Sequence, residues 1–206
     1  MAVAALARPR SPLAALLVFV GLALSGCGVN AIPTLDEQVK AAWAQVQNQY
    51  QRRADLIPNL VETVKGYAGH ERETLEAVVN ARSKATQTTL PPDILTNPEA
   101  FRQFQQNQQQ LSGALGRLLA ITENYPDLKA NQSFQQLMAQ LEGTENRIAV
   151  ARRDYIGGVQ AYNTEIRTFP GVVWAAIVYR DAKVKESFAA EPGAQQAPRV
   201  GFGKGS

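Results

Sequence analysis

The chain has 206 residues, 45% of them hydrophobic, enough to bury one core and to argue for one folded domain with flanking ends. Its formal charge of +3 includes Arg8 and Arg10 of an N-terminal leader. Without them 19 of the 21 basic side chains face 18 acidic ones, so the pI of about 9.1 gives no support to nucleic-acid binding. One cysteine and one histidine exclude a disulfide within the chain and leave too few ligands for a Cys/His metal site; no metal and no cofactor is expected.

Arg8 and Arg10 precede an apolar run, LAALLVFVGLAL at 13–24, and the run closes on LSGC, Leu24 to Cys27. A basic start, a short apolar stretch and small residues before a cleavage point describe a secretory leader. Twelve apolar residues fall short of the roughly 20 that a transmembrane helix needs. LSGC is similar to a bacterial lipobox. That resemblance implies a lipoprotein-type signal peptide at 1–26 and acylation of Cys27, of the palmitate kind, so that membrane lipid is the first partner. Gly28 after the cysteine points to the periplasmic face of the outer membrane in a Gram-negative envelope. Residues 27–34 read as a tether.

Thr34 and Glu37 have the spacing of a capping box, which sets a helix start at residue 35. From there Val39, Trp43, Val46, Tyr50, Arg53, Ile57, Leu60, Val64 and Tyr67 recur in steps of four and three, the spacing of a coiled coil or bundle seam. Gly66 and Gly69 mark the end. A shorter helix follows from about Glu71, with Leu75, Val79, Arg82 and Ala85 on one face. TQTTLPPDILTNP is a linker. Asn97 then caps a third helix with Pro98 in its first position. Its stripe is Phe101, Phe104, Gln108, Leu111, Leu115, Leu118, Ile121 and Tyr125, and the rest of QFQQNQQQ reads as a solvated face.

NYPDLKAN is a turn, and Ser133 with Gln136 forms a second capping box. The fourth helix carries Phe134, Leu137, Leu141, Ile148, Tyr155, Val159, Tyr162 and Ile166 to about Thr168. No stretch alternates with period two. The fold class is all-α, an antiparallel four-helix bundle with long helices over 35–170, preceded by the signal and lipid anchor. Gly113, Gly116, Gly143, Gly157 and Gly158 fall inside helical patterns, and close helix approach or a local bend is their expected reason. Residues 171–189 form an apolar and basic segment, and 190–206 a disordered tail.

Three groups of residues carry the functional reading. Arg53 lies in the apolar seam and needs an acidic partner, with Glu145 and Glu165 among the choices; it reads as a structural register pin. Pro58 removes a backbone donor and frees the carbonyl of Ala54, which should kink the first helix beside an outward set, Arg52, Asp55, Asn59 and Glu62. That set is the candidate binding or interaction face. VVWAAIVYR at 172–180 reads first as a cap over the open end of the bundle core; the alternative makes Trp174 and Tyr179, with Lys183 and Lys185 after them, candidate membrane contacts at the headgroup level. His70, with no second histidine or cysteine beside it, supports catalysis poorly.

RRADLIPNLVETVKGYAGHE at 52–71 resembles the signature of the LemA family. AW at 42–43, LEAVVNAR at 75–82, RRDY at 152–155 and AYNTEIRTFP at 161–170 fit the same pattern. The resemblance covers about residues 35–170. It implies a membrane-associated, largely helical protein of bacterial envelopes with an N-terminal anchor, and no established catalytic residues. The chain departs from the pattern at LSGC, in place of a plain transmembrane anchor, and after Pro170, where GVVWAAIVY replaces an Asn-rich continuation. The expected function is that of a membrane-anchored, non-enzymatic scaffold or interaction module with envelope protein partners, and a homo-oligomer is compatible with it. The alternative is a binding module for a peptide or small ligand at the kinked face.

Overall fold

The computed structural model describes residues 28–87 and 90–189, and among them every regular element is helical. The elements are α1 (Ala31–Lys65), α2 (Arg72–Gln87), a 3-10 turn (Ile94–Thr96), α3 (Pro98–Thr122), α4 (Pro126–Ala130), α5 (Gln132–Glu165) and α6 (Gly171–Ile177). The leader at 1–26, Cys27 and the tail at 190–206 lie outside the described residues. Among those described, no helix is long and apolar enough to cross a membrane.

Helix ends depart from the expected caps for local reasons. α1 starts at Ala31, so residues 31–34 are helix and not tether. Thr34 already donates its N–H to Asn30 at 3.1 Å, and Glu37 takes Lys40 at 2.7 Å, so the Thr34 box does not form. α5 is capped by Asn131, whose side chain accepts from the Phe134 N–H at 3.0 Å. Ser133 and Gln136 sit inside the helix, and α5 stops at Glu165 rather than Thr168. Asn97 does cap α3, accepting from Glu99 and Ala100, with Pro98 next to it. NYPDLKAN contains the short helix α4, which buries Leu128.

α1 and α5, of 35 and 34 residues, lie antiparallel along each other. Gln49 meets Arg147, Arg53 meets Glu145, and Tyr67 meets Asn131. α2 folds back on α1 and runs antiparallel to α3, with Ala85 against Gln108 and Glu71 against Tyr125. The α1 seam is buried from Val39 to Val64, as its spacing predicts. Tyr67 is the exception, 45% exposed: α1 ends at Lys65, and Ala68 fills the core beyond it. On α2 the buried side chains are Leu75, Val78 and Ala81, which leaves Val79 exposed. On α3, Asn107 joins Gln108 in the interior, so the Gln-rich run is not wholly solvated; the two donate to the Lys84 and Ala85 carbonyls at the end of α2. A Cβ at Gly158 would touch Val39, but at Gly113, Gly116 and Gly157 it would meet open space, so close approach accounts for one of these positions only.

The apolar interior falls into two clusters. One gathers Val39, Trp43, Val46 and Tyr50 with Phe101, Phe104, Ile148, Tyr155 and Val159. The other gathers Ile57, Leu60, Val61 and Val64 with Val78, Leu111, Leu118, Leu128 and Leu141. Residues 178–189, without regular structure, lie over the first cluster. Glu186 donates its N–H to the Leu95 carbonyl at 2.7 Å, Lys185 and Asn163 exchange two hydrogen bonds, and the Tyr155 hydroxyl donates to the Glu186 carbonyl at 2.7 Å. Phe188 is buried against Phe101, Tyr155 and Trp43. The segment expected to follow the bundle thus belongs to its core. Its start requires glycine: a Cβ on Gly171 would collide with the Glu165 carbonyl oxygen.

Candidate functional site

Between the two apolar clusters lies a polar layer centred on Arg53, whose side chain is 1% exposed. One terminal nitrogen donates to Ser112 Oγ at 2.8 Å and to Glu145 Oε1 at 3.1 Å; the other donates to Gln108 Oε1 at 2.7 Å. The guanidinium also lies 5.1 Å from the Tyr50 ring centroid. Its Nε alone has no hydrogen bond. A planar fork that reaches from α1 to both α3 and α5 suits arginine better than lysine. Glu145 is 43% exposed, so one end of the network opens to water while the guanidinium is sealed.

The carbonyl freed by Pro58 is not open. Arg82 Nε of α2 donates to Ala54 O at 2.8 Å. A side chain from a second helix replaces the missing backbone donor, and α1 continues without a break through Pro58. Arg52, Asp55, Asn59 and Glu62 are all exposed along α1. Asp55 accepts from Gln51, the Asn59 carbonyl accepts from Thr63, and Glu62 pairs loosely with Lys65 at 3.6 Å. The four do not converge on one point.

Glu62 does border a concavity. A groove of about 800 Å³ runs between α1 and α2. Its apolar floor includes Val61, Leu75 and Val79, and its rim includes Glu62, Lys65 and Arg72. Sequence reasoning missed the α2 side of this groove because it assigned Val79 to the interior. A helical wheel with one more step of three would have turned Val79 outward.

At the other end, Trp174 and Tyr179 are half-buried against the Trp43 cluster. The side chains directed to solvent there are Phe169, Val172, Val173, Ile177 and Val178. Lys185 is buried too, paired with Asp36 and placed 4.8 Å from the Tyr162 ring centroid. Burial works to raise the Asp36 carboxyl, but hydrogen bonds and charge from Lys185 and Lys40 outweigh it and hold the group below its ordinary value of 3.8. Burial, with the Glu186 charge, pushes the Tyr155 hydroxyl well up. His70 is exposed. Among the described residues no three His, Cys, Asp or Glu side chains come together as metal ligands would.

Fold and site together define an all-helical protein in which a buried arginine network joins a long antiparallel helix pair to a third helix. The chain belongs to the LemA family, whose pattern matches residues 42–202. Magnetosome protein MamQ 2 of Paramagnetospirillum magneticum is 27% identical over 158 residues, which cover 68% of this chain and 58% of that protein. Magnetosome protein MamQ of Magnetospirillum gryphiswaldense is 25% identical over 157 residues, with 68% and 58% covered. Protein LemA of Metamycoplasma hominis is 26% identical over 140 residues, with 68% and 60% covered. The chain spans less than two thirds of the length of these curated relatives.

Proposed function

We propose that this protein is a membrane-tethered, non-enzymatic envelope protein whose helical body serves as an interaction scaffold. Its tether begins at Cys27, after the leader at 1–26, with lipid on that cysteine. Its docking site is the outward face of α1, Asp55 to Glu62, together with the adjoining α1–α2 groove. The observation that carries this reading is the groove itself: an apolar floor, a rim of both charge signs and a place at the end of α1 remote from residue 28. An amphipathic helix of a partner protein fits that description, with its apolar stripe on Val79 and its charges on Glu62 and Lys65.

The small-ligand alternative has less support, because the feature that favoured it, an open Ala54 carbonyl, is occupied by Arg82. The test is photo-crosslinking in cells with a photoreactive amino acid at Val79, and a control probe at the exposed Arg153 of α5. A discrete adduct with another protein at 79 and not at 153 is expected. Membrane-bound, folded protein that gives no adduct at 79 overturns the docking site.

A further inference from the structure

The two faces of α6 and its flanks are both apolar. Trp174 and Ala175 pack inward on the core. Outward, Phe169 is 82% exposed, Ile177 61% and Val178 52%, with Val172 and Val173 close to 40%. Exposed apolar side chains scattered singly need no explanation, but five within ten positions form a patch that ordinary folding does not account for. Val172, Val173 and Ile177 share one side of α6, with Phe169 just before the helix and Val178 just after it. Exposed Arg167, Arg180 and Lys183 flank that stripe, against one exposed acid, Asp181, in the same run.

The position of the chain's N-terminal part says what covers this stripe. Gly28 sits against Pro170 and Glu165, at the base of α6. The apolar run in the sequence ends at Leu24, and four residues span at most about 14 Å. Whether the membrane attachment is a lipid on Cys27 or the run at 13–24, it is tied within that distance of Gly28. We propose that Phe169, Val172, Val173, Ile177 and Val178 form a second lipid contact, seated at the acyl-chain boundary of the membrane that holds the tether. The arginines and lysine at its edge meet anionic headgroups. One acyl signal gives marginal, reversible membrane binding, and an amphipathic contact beside it makes attachment stable. The inference rests on the tethered reading given above.

The test uses the full chain in bacterial cells, with a diazirine amino acid at Ile177 or, as control, at the exposed Glu76 near the far end. Membranes are isolated, illuminated and analysed for lipid adducts by mass spectrometry. The expected result is membrane-bound protein with a phospholipid adduct several-fold more abundant at 177 than at 76. Recovery in the soluble fraction overturns the tether and the lipid contact together. Membrane-bound protein whose Ile177 probe joins a second copy, or its own residues 13–24, overturns the lipid contact alone and leaves the tether in place.

Discussion

Pro58 and Arg82 show how one residue's defect is corrected by another 24 positions away. Proline in a helix interior leaves an acceptor without its donor, and an unsatisfied buried carbonyl costs about 1–3 kcal/mol. Arg82 supplies that donor, so the two residues should be energetically coupled. Arg82→Ala is expected to destabilise the protein by about 1–3 kcal/mol in urea denaturation. In a Pro58→Ala background, where residue 58 again carries an N–H, the same substitution should cost about 1 kcal/mol less. An equal cost in both backgrounds would mean that Arg82 acts through packing alone. The sequence exposed half of this arrangement: Pro58 announces an orphan carbonyl, but only tertiary structure says which side chain finds it. Arg53 was similar. Its position in the seam demanded a partner, yet the choice of Glu145 over Glu165 follows from the antiparallel register of α1 and α5, which no single-chain pattern encodes.

At the scale of elements, helical stripes were legible because burial selects apolar residues at a fixed period, and α1, α3 and α5 follow theirs closely. Caps were less legible. Asn131 and Ser133 are both good capping residues two positions apart, and the backbone turn from α4 decides between them. The strap at 178–189 was the least legible, since it makes its contacts through single side chains and backbone groups and not through a periodic face. Its anchor gives a pH prediction. The Asp36 carboxyl, facing Lys185 and Lys40, has a folded value below 3.8, so its contribution is complete above that pH and is lost as pH falls through the folded value. Acid titration should therefore loosen the strap and change Trp43 fluorescence through Phe188, below about pH 4. Asp36→Asn should be weakened already at neutral pH and lack that step. An unchanged acid transition in the variant would assign it to other carboxylates.

At the scale of the whole molecule, the proposed reading gives the two ends of the α1–α5 pair different roles. Gly28, Pro170 and the outward stripe of α6 share one end; the α1–α2 turn and the groove lie toward the other. A helix of 35 residues separates them by about 50 Å. On the proposed reading, a tether and a lipid contact at one end would hold the groove well out from the membrane, where a partner could reach it. The measurement that tests this most directly is quenching of a fluorescent amino acid by lipids that carry a quencher on the headgroup. The full protein would be reconstituted in vesicles, with the probe at Lys183 or at His70. Strong quenching is expected at 183 and little at 70. Equal quenching at both positions would mean that the helix pair lies flat on the bilayer, and would contradict the separation of membrane and docking ends.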